Sequence, residues 1–379
     1  MALWYPIGYH LGGPRHPPRV GPGSGLSRPR SLGAMSDPVL QTVPLGLHWP
    51  TVDPFLFCAH HDDAYPAGNA QLGPAAPLDG RDLGMDFAGK DGWRMYHGLV
   101  VPGFPQHPHR GFETITYVRK GLIDHSDSLG ATARFGRGDV QWLTAGSGIV
   151  HSEMFPLVDR EADNPTELFQ IWLNLPAARK MDDPYFTMFW ADEVPKVEVV
   201  DDEGRTMVLT VIAGPVVGAA PPSPPPSSWA SSPEADVAVW HLAFEPGSSW
   251  TLPPTAGPDT VRVLYVFDGD AVQIDGHDGD LARDTGSVLR SDEPVRVSSR
   301  GGAEAMILQG RPIGEPVAQQ GPFVMNDEAG LRQAFVDYQR TGFGGWPWPQ
   351  DGPVHAAEEG RFAHHPDGRI ERAGSPAPA

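Results

Sequence analysis

The sequence predicts an all-β protein: two tandem β-barrels of one antiparallel design, then a short C-terminal helix, between tails without regular structure. Three observations lead there. Short β-branched and aromatic runs recur about every 8–12 residues, punctuated by Gly, Pro and Asp, the pattern of a sandwich or barrel. Landmarks in the first half return in the second. Both ends, finally, differ in composition from the middle.

The repetition is explicit. "HGLVVPG" (His97 to Gly103) is answered by "HLAFEPG" (His241 to Gly247), and "YVRKG" (Tyr117 to Gly121) by "YVFDG" (Tyr265 to Gly269). The step from Gly121 to the Gly-Asp-Val at Gly138 equals the step from Gly269 to the Gly-Ser-Val at Gly286. Landmarks at matched spacing mark two copies of one unit. The step from Gly247 to Gly269 is longer than that from Gly103 to Gly121, so the second copy carries an insertion.

These landmarks set the expected divisions: a disordered extension over 1–36, a first barrel over 37–196, a second barrel with the helix over 197–345, and a flexible tail over 346–379. The stretch before Met35 holds Arg15, Arg19, Arg28 and Arg30, no acid and many Gly and Pro, a composition that buries little apolar surface. Acids begin at Asp37, just after Met35, which favours Met35 as the true start; an intact mass showing Met1 or Ala2 would refute that. Between the barrels, "GPVVGAAPPSPPPSSWASSP" (Gly214 to Pro233) should run as an extended surface connection. After the second, Asn326 is placed to cap a helix with Asp327 and Glu328 at its positive end, Leu331, Ala334, Phe335 and Tyr338 on one face and Gly342 as its stop.

Composition excludes several functions. Lys and Arg number 28 against 47 Asp and Glu, a net charge of −19 that repels a phosphate backbone, so nucleic acid is not an expected ligand. No apolar run reaches the roughly 18 residues that span a bilayer. A lone cysteine, Cys58, forbids an intramolecular disulfide and fits a reducing, cytoplasmic setting, with Cys58 read as a small buried hydrophobe.

The chemistry concentrates in two short stretches. In "FPQHPHRGFETITYV", His107 and His109 are two apart ahead of strong strand formers; on a strand they share a face, about 7 Å apart at the backbone. Glu113 shares their parity only if the strand stays regular, and Gly111 invites a bulge. In "WLTAGSGIVHSEMF", His151 and Glu153 repeat the spacing. On neighbouring strands these four would bring three imidazoles and a carboxylate together. Such a set suits a divalent cation with open positions, Fe(II) foremost, with Mn, Ni, Cu, Co or Zn also accommodated. The missing thiolates argue against a closed structural zinc site and an iron–sulfur cluster. Counting from the landmarks of the second copy reaches Thr255, Gly257, Ser299 and Gly301, or Thr251 and Pro253 with the insertion placed elsewhere, so one metal per chain is expected. Phe104, Phe112, Trp142 and Met154 flank the ligands as pocket wall or core. His125 is read as a solvated loop residue, His60 and His61 as a polar surface loop, and His364 and His365 as part of the tail.

"HPHRGFETITYV", "GDVQWLTAGSGIVHSEM", "FQIWLNLP" and the later "GPFVMNDEAGLRQAFVDYQ" resemble the pirins, a branch of the cupin superfamily, over roughly Asp37 to Gly344. The resemblance implies two cupin barrels with iron in the first only, bound by His107, His109, His151 and Glu153, and Glu113 is not a pirin ligand. It also implies either of two functions. One is a quercetin dioxygenase that opens a flavonol with O2; beside it, the ligand chemistry leads us to expect a small phenolic or enolic substrate, with Glu153 taking its proton because a carboxylate on a metal can shift between ligand and base. The other is an iron- or redox-sensing regulator that binds a partner protein. The stretch from Cys58 to Gly98 is longer than the usual connection before the first ligand strand, which leaves flavonol specificity open.

Overall fold

The computed structural model describes residues 37–374. In chain order its strands are β1 (Val39–Pro44), β2 (His48–Trp49), β3 (Phe55–Tyr65), β4 (Gly103–His109), β5 (Phe112–Lys120), β6 (Leu122–Asp127), β7 (Thr132–Gly136), β8 (Val140–Thr144), β9 (Ile149–Met154), β10 (Asn164–Asn174) and β11 (Tyr185–Phe189). The second half continues with β12 (Lys196–Val200), β13 (Thr206–Ala213), β14 (Ala238–Phe244), β15 (Ser249–Leu252), β16 (Val261–Gly269), β17 (Val272–Ile274), β18 (Asp280–Leu281), β19 (Thr285–Leu289), β20 (Val295–Ser298), β21 (Ala303–Gly310), β22 (Ala318–Gln320) and β23 (Phe323–Met325). Helix α1 (Glu328–Thr341) follows, then β24 (Phe362–His364) and β25 (Ile370–Arg372).

The first barrel closes a sheet ordered β11-β8-β5-β10-β3-β2 against one ordered β25-β24-β7-β6-β9-β4. The second closes β1-β19-β16-β21-β14-β13-β12 against β15-β20-β17-β18. This is the two-domain cupin fold that the repeated landmarks predict. β5 and β16 hold the same place in their sheets, and the insertion is the Pro253–Thr260 connection from β15 to β16, where Arg110 and Gly111 alone join β4 to β5. The equal spacing of the glycines hides a slip. Tyr117 faces Val140, but Tyr265 faces Gly286, so Gly286 answers Val140 rather than Gly138.

Period-two alternation explains where the cores sit. Ile115 and Tyr117 of β5, Trp142 of β8, and Phe169 and Ile171 of β10 point out of the first barrel against Tyr265, Phe267 and Met306 of the second. Trp49 stacks on Tyr265 with ring centroids 5.0 Å apart. Burial of each such side chain contributes roughly 1.5–3 kcal/mol, so the barrels share a core. Cys58 is fully buried there, and burial pushes its thiol pKa up, which suits an inert hydrophobe.

Two segments cross the divisions expected at 196/197 and 345/346. β1 pairs with β19 of the second barrel. The expected flexible tail instead returns to the first barrel, where β24 pairs with β7. Arg134 holds it: fully buried, it forms 2.7 Å hydrogen bonds to both carboxylate oxygens of Asp124 and donates to the carbonyls of His355, Ala356 and Glu359. His365, discounted as tail, is 5% exposed with its ring 5.2 Å from Phe186. The connection between barrels is anchored too, with Ser228 buried and Trp229 Nε1 donating to the Arg311 carbonyl. The N-cap of α1 is Asp327, one residue beyond the expected Asn326, accepting from the Gly330 N–H at 2.7 Å; Gly342 ends the helix at φ 56°. The expected disorder over 1–36 and the Met35 start lie outside the described residues.

Glu113 shares the outward parity of Ile115 and Tyr117, because Gly111 (φ 86°) breaks the register after β4. It is buried between the barrels, where it accepts from Thr144 Oγ1 at 2.6 Å. Burial pushes its carboxyl pKa up from 4.5 to about 7. The folded state therefore holds a proton that the unfolded state has lost, and the resulting stability, complete below pH 4.5, is lost as pH rises through about 7. Glu113→Gln is expected to flatten the loss of stability between pH 5 and pH 8 by up to about 3 kcal/mol. Urea unfolding of both proteins at the two pH values measures this.

Candidate metal centre

β4 and β9 are antiparallel neighbours with His107 opposite His151, so their inward faces bring His107, His109 and His151 together. Ring centroids lie 4.4 Å apart for His107 and His151, and 4.8 Å for each of the other two pairs. One nitrogen from each ring lies within 4.8 Å of the others. The three rings are 7%, 3% and 0% exposed. Burial drives the His107 pKa down to about 4 and holds His109 and His151 well below the usual histidine range, helped by mutual repulsion. All three are neutral near pH 7, the form that ligates a metal.

The donor set fits a divalent metal on a second ground. His107 Nδ1 donates to the Pro105 carbonyl at 2.9 Å, which fixes the lone pair on Nε2. Neither ring nitrogen of His109 or His151 makes a well-formed hydrogen bond, although both rings are buried; the Pro322 carbonyl acts on His109 only weakly. Buried polar atoms left this way cost about 1–3 kcal/mol each, a penalty that coordination removes.

The first barrel's interior is polar around this cluster. Glu153 lies two residues beyond His151 on the same strand but outside the three-histidine cluster. It accepts from Gln170 Nε2 at 2.5 Å and from Thr116 Oγ1 at 3.3 Å, and burial raises its carboxyl pKa. A cavity of about 10 Å³, room for about one water, opens beside it, lined in part by His61, Phe104, Thr116 and Gln170. His125, opposite Glu153 on β6, is fully buried rather than solvated; its Nε2 donates to Asp127 at 3.1 Å and its ring is 5.5 Å from His151. His60 and His61 lie in β3, not in a surface loop. As adjacent strand residues they do face opposite ways: His60 stacks on Phe169 at 4.4 Å, and His61 turns into the barrel. Of the four flanking apolar residues, Phe104 lines the cavity and Phe112 packs 5.1 Å from His109, while Trp142 faces the second barrel and Met154 packs outside, against the C-terminal segment.

α1 supports the ligand strand. Arg110, directly after His109, donates to the Ser147 carbonyl at 2.6 Å and to Asp337 of the helix at 2.9 Å, and lies 4.5 Å over the Phe343 ring. A side chain at Gly111 would meet the Val324 carbonyl at 1.9 Å, so only glycine allows β23 this close.

In the second barrel, β15 and β20 take the places of β4 and β9, and their facing pairs are Trp250 with Val297 and Leu252 with Val295. All four belong to an apolar core. Counting from the landmarks aims at neighbouring residues because of the register slip. Among the described residues, His107, His109 and His151 form the metal-type cluster.

Two family descriptions match this chain: Pirin over residues 39–173 and the pirin C-terminal cupin domain over 239–344. The chain belongs to the pirin family. A pirin-like protein of Caulobacter vibrioides is 39% identical over 246 residues, 64% of this chain and 80% of the relative. A Pseudomonas aeruginosa relative named "Putative quercetin 2,3-dioxygenase PA3240" is 33% identical over 63% of this chain and 79% of its own length. Human pirin is 32% identical over 63% and 77%. Among solved structures, quercetin 2,3-dioxygenase from Acinetobacter baumannii superposes with a TM-score of 0.64 at 23% identity, covering 82% of this chain and 99% of its own, a likeness of fold. No helix among the described residues is long and apolar enough to cross a membrane.

Proposed function

We propose that this pirin is an Fe(II)-dependent dioxygenase acting on a small phenolic or enolic compound, with flavonols as the reference substrate class. The observation that carries the reading is the trio of buried, neutral, converging histidines in a polar barrel interior, with both His151 nitrogens lacking a hydrogen-bond partner. Relatives named for quercetin dioxygenation support the reaction class. His107, His109 and His151 would hold the metal; Glu153, outside that cluster in this structure, is the expected fourth ligand and would have to turn toward it. Bound there, Fe(II) supplies Lewis acidity toward a substrate oxygen and redox chemistry toward O2.

The remaining work belongs to the chain. Thr116 and Gln170 aim Glu153 and donate to its carboxylate, so both hydrogen bonds weaken when it takes a substrate hydroxyl proton. Phe112 and Trp172, their ring centroids 5.1 and 5.2 Å from His109, stack on each other at 3.9 Å and shield that side of the cluster from water. A drug-sized ligand occupies roughly 300 Å³ or more, so it does not enter through the water-sized cavity beside Glu153.

Anaerobically purified protein loaded with Fe(II) and given quercetin and a panel of phenols and enols is expected to consume O2 in a substrate-dependent way. Loaded protein that consumes none with any panel member would overturn the reading. It would favour the regulator, for which partner capture with and without iron is the direct assay.

A further inference from the structure

The stretch between β3 and β4 adds polar chemistry to the barrel that the metal cluster does not use. His61 and Asp63 share the inward face of β3. Tyr96, from the long connection, reaches between them: its hydroxyl donates to Asp63 Oδ2 at 2.6 Å and lies 2.7 Å from His61 Nδ1. Because the Tyr96 proton is committed to Asp63, its oxygen must accept from His61. His61 is therefore the Nδ1–H tautomer, with Nε2 left as the acceptor, and His61 also lines the water-sized space shared with Thr116, Glu153 and Gln170.

We propose that His61, Tyr96 and Asp63 form a proton relay leading from that cavity to the buried carboxylate of Asp63. A hydroxyl or water in the cavity gives its proton to His61 Nε2 as His61 Nδ1–H passes to the Tyr96 oxygen and the Tyr96 O–H passes to Asp63. Three N–H or O–H bonds form and three break. The cavity group loses a proton, Asp63 gains one, and His61 changes tautomer without becoming a cation. That last feature matters, because burial drives the His61 pKa down to about 3 and makes a lasting imidazolium costly. The acceptor suits its place: burial raises the Asp63 carboxyl to about 6, so it takes and returns a proton near neutral pH. Arg94 Nη1 donates to the other Asp63 oxygen at 3.0 Å and fixes that carboxylate in place; the guanidinium stays protonated and carries no proton itself.

Construction of the site favours a dedicated device. Tyr96 is held at φ 55°, a left-handed conformation that costs about 1–2 kcal/mol for a non-glycine residue. Reciprocal 3.0 Å backbone hydrogen bonds with Asp86 hold it there, and its ring packs against Phe104 and Phe155. The long connection thus gives His61 and Asp63 a bridging hydroxyl; the hydroxyl of Tyr65, also on β3, donates to the Arg94 carbonyl instead.

The purpose of the relay, passing on through the cavity water the proton that Glu153 takes from substrate, rests on the dioxygenase reading; its existence does not, so the test uses no substrate. In full-length protein with isotope-labelled histidine, metal-free or loaded with Zn(II), nitrogen NMR is expected to show His61 as Nδ1–H, its proton exchanging with solvent. Tyr96→Phe should move the population to Nε2–H. Asp63→Asn keeps an acceptor oxygen but cannot take the proton, and should slow exchange by about a hundredfold, the lower end of what a positioned acid–base group contributes. An Nε2–H tautomer in the parent protein, or unchanged exchange in Asp63→Asn, would overturn the relay and leave the dioxygenase reading untouched.

Discussion

His151→Ala is expected to abolish stoichiometric metal binding and substrate-dependent O2 uptake together. His151 is fully buried at the centre of the cluster, within 4.8 Å of both other rings, and its nitrogens have no hydrogen-bond partner. Loss of a mere supporting partner weakens metal sites roughly 10–100-fold, so loss of one of three imidazoles should cost at least about 100-fold. Stability gives a readout independent of activity. Metal that binds only the folded state at about 100 times its Kd adds about 2.7 kcal/mol, so thermal unfolding of the parent protein should shift upward with Fe(II) under anaerobic conditions. The shift should vanish in His151→Ala while the metal-free barrel remains folded.

The second large effect lies outside the site. Arg134→Leu should destabilise the protein by about 3–5 kcal/mol, the usual cost of stranding one partner of a buried ion pair. Asp124 would keep its charge with no guanidinium opposite, and the carbonyls of His355, Ala356 and Glu359 would lose their donor. Limited proteolysis should then cut within 346–374 before any other segment. The double variant Arg134→Leu with Asp124→Leu should recover much of the loss in urea unfolding, because it removes the stranded charge. Equal destabilisation in the single and double variants would mean that the segment is held mainly by other contacts.

The features legible in the sequence are those carried by local periodicity. Alternation marks the strands, and the i, i+2 spacings in His107-Pro108-His109 and His151-Ser152-Glu153 place each pair on one face of its strand. Gly111 is legible as the break that turns Glu113 away. Features that depend on which strands become neighbours are not legible. His125 and His61 sit amid polar residues, as solvated loop residues do, and only the pairing of β6 with β9 and of β3 with β10 buries them. The C-terminal segment misleads for the same reason: its Pro, Gly and charged residues resemble a tail, and its order comes from Arg134, far earlier in the chain. Thr116 and Gln170 carry no motif. Their inward parity on β5 and β10 is readable, but not that Glu153 lies between them.

The central claim is that one divalent metal sits among His107, His109 and His151 in the first barrel. Its most direct test is elemental analysis of protein reconstituted anaerobically with excess Fe(II) and desalted, in parallel with His109→Ala. The account predicts one metal per chain in the parent and almost none in the variant. Full occupancy retained in His109→Ala, or an empty parent protein, would contradict it.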